Sequence, residues 1–171
     1  MNEGKLFDII QGIFRIYYFM LLREKKMQIR QISIYLENKP GQLGAICRLL
    51  ADADINIAAL SLADTSEFGL LRMIVDDHEK AKDVLSSNGY PVVVREVVAV
   101  LVPDCPGGMA KVLSAIDEAR VDVEYSYAFA FHKGEKAVLV FSFKDADTAA
   151  TALAKAGCIT LAENELKEIE K

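Results

Sequence analysis

Two stretches of the chain, one within residues 28–96 and the other within 97–163, share one plan at an offset of sixty-six positions, and this internal repeat limits the fold more than any other feature of the sequence. Pro40-Gly41 falls on Pro106-Gly107, and Ile55-Asn56-Ile57 falls on Val121-Asp122-Val123. Apolar character matches along the way: Ile32 with Val98, Ile34 with Val100, Leu43 with Met109, Ile46 with Val112, Leu50 with Ile116. The register slips by two later, where Gly89 meets Gly157. Such a chain is expected to fold as two copies of one unit.

Within each copy the hydrophobic pattern switches between the strand period and the helix period. "RQISIYL" alternates Ile32, Ile34 and Leu36 as a half-buried strand, and "GQLGAICRLLADA" then sets Leu43, Ile46, Cys47, Leu50 and Ala53 on one helix face. Cys47 reads there as a small core hydrophobe. "INIAALSLA" and "LLRMIVD" are strands joined by a hairpin at "DTSE"; "EKAKDVLSSNG" is a short helix closed by Gly89, before the strand "YPVVVREV". The second copy supplies "VVAVLV", a helix carrying Met109, Val112, Leu113, Ile116 and Ala119, "VDVEYSYAFAF", a turn at "HKGE", "KAVLVFSF", the helix "DADTAATALAKAG" and "CITLAE". Each copy is thus β-α-β-β-α-β, and the fold expected is α+β, two tandem ferredoxin-like βαββαβ modules with antiparallel sheets. Module 1 is assigned to 28–96, module 2 to 97–163, and 164–171 to a solvated tail or frayed helix.

No Gly/Ser-rich or Pro-rich linker separates the copies, since "VVVREVVAVLV" runs from the last strand of one into the first of the next. The modules are therefore expected to be held rigidly. A unit of about 70 residues buries only about 60% of its unfolded surface, so covering the boundary between the two helps both. Ahead of them, residues 1–26 place Leu6, Ile9, Ile10, Ile13, Phe14, Tyr17 and Leu21 at helical spacing with Asp8, Gln11 and Arg15 opposite. Asp8 and Arg15 interrupt a run that stays short of the ~20 apolar residues of a spanning helix, and no cleavage site follows. The segment reads as an appendage before a chain start at Met27, with a partner-binding or membrane-surface helix as the alternative.

The net charge of −5 disfavours a nucleic-acid partner, and no basic cluster is denser than Arg23, Lys25 and Lys26. Cys47, Cys105 and Cys158 are odd in number and lack Cys-x-x-Cys spacing, which argues against a disulfide framework or a zinc site and fits a reducing cytoplasm. The two histidines, His78 and His132, lie in polar turns or helix starts and are expected to be solvated. "CPGGMAK" is too short for a phosphate loop, and the acids of "DDHEKAKD" and "DADTA" sit where they complement a helix dipole. Catalysis is not expected, and neither a metal nor a cofactor.

One local feature remains: "LENKPGQLGAI", where a strand ends and a helix begins through Asn-Lys-Pro-Gly. Proline suits the first helical position, whereas glycine there invites something to approach the main chain. Capping is one explanation and a ligand is the other.

The stretch "ENKPGQLGAICRLLADADINIAALSL" resembles an ACT domain, a small module that senses amino acids, and the first module is similar to the serine-sensing ACT domain of phosphoglycerate dehydrogenase. The resemblance covers both modules, roughly residues 28 to 163, with no enzyme domain attached. It implies a ligand site at an edge shared by two modules. Asn38, Pro40, Gly41, Gln42 and Leu43 would hold one end of a free amino acid, and the position of Asn56, with Ile57, would contribute from a neighbouring module. The second module carries Asp104, Gly107, Gly108 and Met109 in the matching loop and Asp122 and Val123 at the matching strand start. The chain departs from the serine sensor at Leu36, where that domain has a histidine, so serine is not implied as the ligand.

Physical chemistry supports such a site independently. A helix start offers unpaired N–H groups and a positive dipole end to a carboxylate, Asn38 can donate to it, and Asp122 or Asp104 can accept from an ammonium. The plainer explanation makes Asn38 and Asp104 ordinary N-caps ahead of an N1 proline. Two functional classes stay open: a regulatory module that binds an amino acid and signals to a partner, such as an enzyme of amino-acid metabolism, or a dimerisation scaffold without a ligand. A homodimer is expected because sheet edges and apolar sheet faces are normally covered, with the tyrosines of "EYSYAF" lining that surface.

Overall fold

A computed structural model describes residues 27–64, 68–129 and 136–165. The leader 1–26, the two hairpin turns and most of the tail fall outside the described residues. The elements run β1 (Ile29–Glu37), α1 (Gln42–Asp52), β2 (Ile57–Asp64), β3 (Phe68–Val75), α2 (His78–Ser87), β4 (Val92–Pro103), α3 (Gly108–Glu118), β5 (Val123–Phe129), β6 (Lys136–Phe143), α4 (Ala146–Lys155) and β7 (Ile159–Leu161). This is the tandem ferredoxin-like arrangement expected, with every strand pairing antiparallel.

The duplication reaches down to the backbone. Gly41 and Gly107 have φ of 88° and 89°, and Asp54 and Arg120, the residues that leave α1 and α3, have φ of 55° and 54°. Both pairs are separated by the offset read from the sequence.

Strand order is β2-β3-β1-β4-β6-β5, with β7 also paired to β4. β4 is one twelve-residue strand that serves both modules. Its first half, Val92 to Val97, pairs with β1; Val98 to Pro103 pair with β6, and Ala99 to Leu101 with β7. The last strand of one module is thus the first of the other, which is why no linker residues were needed.

Alternation along each strand sends side chains to opposite faces. On one face Ile32, Ile34, Leu36, Leu71 and Met73 pack with Ile46 and Leu50 of α1 and Ala81 and Leu85 of α2. Val98, Val100, Val102 and Phe141 pack likewise with Val112 and Ile116 of α3 and Ala149 and Leu153 of α4. The opposite face forms a third core built from strand residues of both modules, Ile29, Ala59, Ile74, Val97, Ala99, Val138, Val140 and Leu161. The apolar sheet face expected to be covered by a second copy is therefore covered to this extent within the chain.

A buried polar clasp crosses that third layer. Gln31 is fully buried; its Nε2 donates to Ser33 Oγ at 2.9 Å and to the Tyr125 hydroxyl at 2.8 Å, while Tyr127 Oη donates to its Oε1 at 3.0 Å. Both tyrosines of "EYSYAF" thus close the module boundary from the side of β5. The expectation for His78 is also corrected: it is buried at the start of α2, accepts from Arg30 at 2.8 Å through Nε2 and faces Glu163 through Nδ1 at 3.2 Å. Its Nε2 also stands 3.2 Å from Glu79 Oε1, so the ring sits between a cation and two carboxylates. Cys47, expected in the core, is half-buried and is not among the residues of the first core.

Candidate functional site

The helices α1 to α4 begin in two different ways. α2 and α4 are capped by side chains, Asp77 accepting from Lys80 N at 3.0 Å and Asp145 from Thr148 N at 2.9 Å. The Thr148 amide, then the Thr148 hydroxyl, hold the Asp145 carboxyl below the usual carboxylate range. α1 and α3 begin at left-handed glycines, Gly41 and Gly107, with no side-chain cap. Asn38 and Asp104 are therefore not N-caps, and Pro40 and Pro106 precede the N-cap instead of opening the helix. Glycine takes the left-handed conformation without steric cost, and each helix starts at the residue after it.

Around Gly41 the loop is exposed and locally tied. Lys39 pairs with Glu37, the Lys39 amide donates to the Glu37 carbonyl at 2.8 Å, and the Gln42 amide reaches the Lys39 carbonyl at 3.3 Å. Tyr90, a residue the periodicity did not single out, donates its hydroxyl to Gln42 Oε1 at 3.3 Å. Leu43 is packed against the first core. A Cβ placed on Gly41 or Gly107 would meet nothing within 4 Å, so the space over each glycine is open.

The second loop differs. Asp104, Gly107 and Met109 are exposed, but Gly108 is buried, and a Cβ there would collide with the Pro103 carbonyl oxygen. Its lack of a side chain serves helix-to-strand packing, which removes it from the set of groups that can face a ligand.

The strand-start residues also differ between modules. The Asn56 amide donates to Asp76 Oδ1 at 3.0 Å, and the Asp76 amide returns a bond to the Asn56 carbonyl at 3.2 Å. In module 2 the exposed Asp122 pairs with Lys144 at 3.2 Å. Ile57 packs on the first core and Val123 is exposed at the start of β5. Ile34 is level with Val92, so the Asn38 loop lies past that end of β4, whereas Val123 with Phe143 and Val98 with Phe141 set Asp122 level with the strand's middle. The Asp104 loop follows the other end of β4, roughly 36 Å away at ~3.3 Å per residue.

An open groove of about 610 Å³ between α3 and α4 contains none of these residues. Among the described residues no group of three His, Cys, Asp or Glu could hold a metal ion. No described helix is long and apolar enough to cross a membrane.

The family model described as an ACT domain pair matches residues 27–170. Protein BT0572 from Bacteroides thetaiotaomicron, known from its crystal structure, is 36% identical and superposes with a TM-score of 0.77, over 82% of this chain and 96% of its own. The ligand-free regulatory subunit of aspartate kinase from Thermus thermophilus shares the fold at 17% identity and a TM-score of 0.55, over 74% of this chain and 91% of its own. The corresponding subunit from Thermus flavus stands at 18% and 0.55, over 75% and 92%. No curated protein gives a significant match.

Proposed function

Because the chain belongs to the ACT domain pair family, we propose that it is a non-catalytic regulatory protein that binds a free α-amino acid and passes the occupied state to a partner. The observation that supports this best is the contrast between helix starts. α2 and α4 carry their own carboxylate caps, while α1 and α3 leave first-turn amides uncapped under open space at Gly41 and Gly107. A carboxylate fits that position and completes the cap.

The first loop is the better candidate, since Asp104 would repel an incoming carboxylate at the second. In this reading Asn38 and the amides around Gly41 to Leu43 take the carboxylate, and Asp122 of a neighbouring module takes the ammonium. Asp122 would come from a second copy, in keeping with its level along β4. The protein would then work as a homodimer, with a mass of two chains by light scattering at tens of micromolar. Leu36 is buried in the first core, where the serine sensor has a histidine, which steers the ligand away from serine. The regulated partner is proposed to be an enzyme of amino-acid metabolism, and the location cytoplasmic.

Calorimetry with a panel of amino acids tests the proposal. One member should bind, and Asn38→Ala and Asp122→Ala should each weaken it by roughly 10- to 150-fold, the value of one charge-assisted bond of about 1.5 to 3 kcal/mol. Gly41→Ala adds a methyl at positive φ and should cost about 1–2 kcal/mol of stability as well, so it is a weaker probe. Loss of binding only in Asp104→Ala or Asn56→Ala would move the site to the other edge. No binding by any amino acid at millimolar concentration would leave a dimerisation scaffold.

A further inference from the structure

We propose that the cleft between the two modules binds a small carboxylic acid with an apolar body, at a place separate from the helix-start site. The cleft, about 240 Å³, is lined by residues of β1, β3 and β4 on one side and of β5 on the other. Its cationic side is Arg72 of β3 and Arg95 of β4; Glu124 and Tyr125 of β5 face them, and Tyr35, Leu70 and Val93 form an apolar wall.

Arg72 is the group that asks for a ligand. Its guanidinium lies 3.8 Å over the Tyr125 ring, and its Nε is buried without a hydrogen-bond partner. Among the described residues no acid pairs with it. Glu124 does not serve: its Oε2 already accepts from Ser142 Oγ at 2.8 Å and stands 3.6 Å from Arg95. Two cations therefore meet one committed carboxylate, leaving the cleft with an excess positive charge beside a half-dry guanidinium. A carboxylate in the cleft can take terminal N–H groups of Arg72 and Arg95, charge-assisted bonds of the kind in which arginine binds acids most strongly.

The wall fixes the rest of the ligand. Tyr35 and Val93 are 58% and 42% exposed, large apolar groups left wet beside the charge. An acid carrying a short branched chain covers them, whereas inorganic phosphate does not. The volume lies below the ~300–1,000 Å³ of sites for drug-sized ligands, which excludes nucleotides.

The test is a titration of the wild-type protein with 3-methylbutanoate, inorganic phosphate and leucine, followed at the Arg72 Nε–H resonance by proton–nitrogen NMR. The expected result is a saturable shift of that resonance with 3-methylbutanoate, at least tenfold weaker with phosphate and with leucine. Arg72→Gln should weaken 3-methylbutanoate binding at least tenfold, read by calorimetry, with Arg95→Gln as a second variant on a more exposed residue. Asn38→Ala should leave it unchanged, so failure here and failure of the helix-start site are distinguishable. No shift at tens of millimolar, or equal binding of phosphate or leucine, overturns the assignment.

Discussion

Gln31 makes its amide bonds inside the module boundary, so replacing it tests whether the clasp holds the two sheets together. Gln31→Leu keeps most of the volume and removes the bonds to Ser33, Tyr125 and Tyr127. Ser33 and Tyr125 border the cleft and can find water. Tyr127 has less recourse: burial, above all, pushes its phenol above the ordinary tyrosine range, so its hydroxyl would lose its acceptor in a dry place. One orphaned buried group costs about 1–3 kcal/mol, and the remaining lost bonds about 1 kcal/mol more, for a total of about 2–4 kcal/mol. For a domain of this size that lowers Tm by roughly 4–16 °C. Urea unfolding by far-UV circular dichroism measures the first figure and a thermal scan the second. The double variant Gln31→Leu/Tyr127→Phe removes the orphan, so it should lose less than the sum of its parts by about 0.5 kcal/mol or more. A cost under about 0.5 kcal/mol for Gln31→Leu, or strict additivity in the double variant, would refute the reasoning.

Tyr127 also sets an alkaline limit. Its folded-state pKa is raised, so its contribution is fully present below the unfolded tyrosine value of about 10 and is lost as pH rises above it. Unfolding free energy should decline above pH ~10 more steeply in the wild type than in Tyr127→Phe, and parallel profiles would contradict this. A chain beginning at Met27 should unfold cooperatively with the same Tm as the full chain, because the regular pattern and the family match both begin there; aggregation of the shorter chain would make the leader part of the core or of an obligate interface.

The fold was legible because the repeat and the strand alternation gave the same answer twice. Period-two runs placed Ile32, Ile34 and Leu36 on the face that the helices cover, and the same parity places Val98, Val100 and Val102. What the pattern could not give was the role of the other face. Gln31 and Ser33 alternate with the apolar residues and read as solvent-facing, yet they are buried because module 2 returns over them. Polarity in sequence does not distinguish water from a tyrosine hydroxyl as a partner. His78 escaped for the same reason, since its partners Arg30 and Glu163 lie in β1 and beyond β7.

At the helix starts the sequence was legible in a different sense. Pro-Gly at both loops specified one backbone geometry, realised at Gly41 and Gly107 to within a degree in φ. The side chains around that geometry are not repeated. Asn38 and Asn56 in module 1 become Asp104 and Asp122 in module 2, and Asp76, which holds the Asn56 amide, is replaced by Lys144, which pairs with Asp122. Module 1 therefore keeps a neutral loop and spends an acid on its own backbone, while module 2 puts an acid in the loop and ties a second acid to a lysine. In the proposed reading, two loops of one backbone form but unlike charge do not bind one ligand equally. A carboxylate is favoured at Gly41 by the amides and opposed at Gly107 by Asp104, and at ~4 Å in an effective dielectric of about 20 that repulsion is about 4 kcal/mol before screening. Even a quarter of this separates the affinities by about fivefold. An occupied first loop beside an empty second one is therefore the state this chain should show when an amino acid is present at moderate concentration.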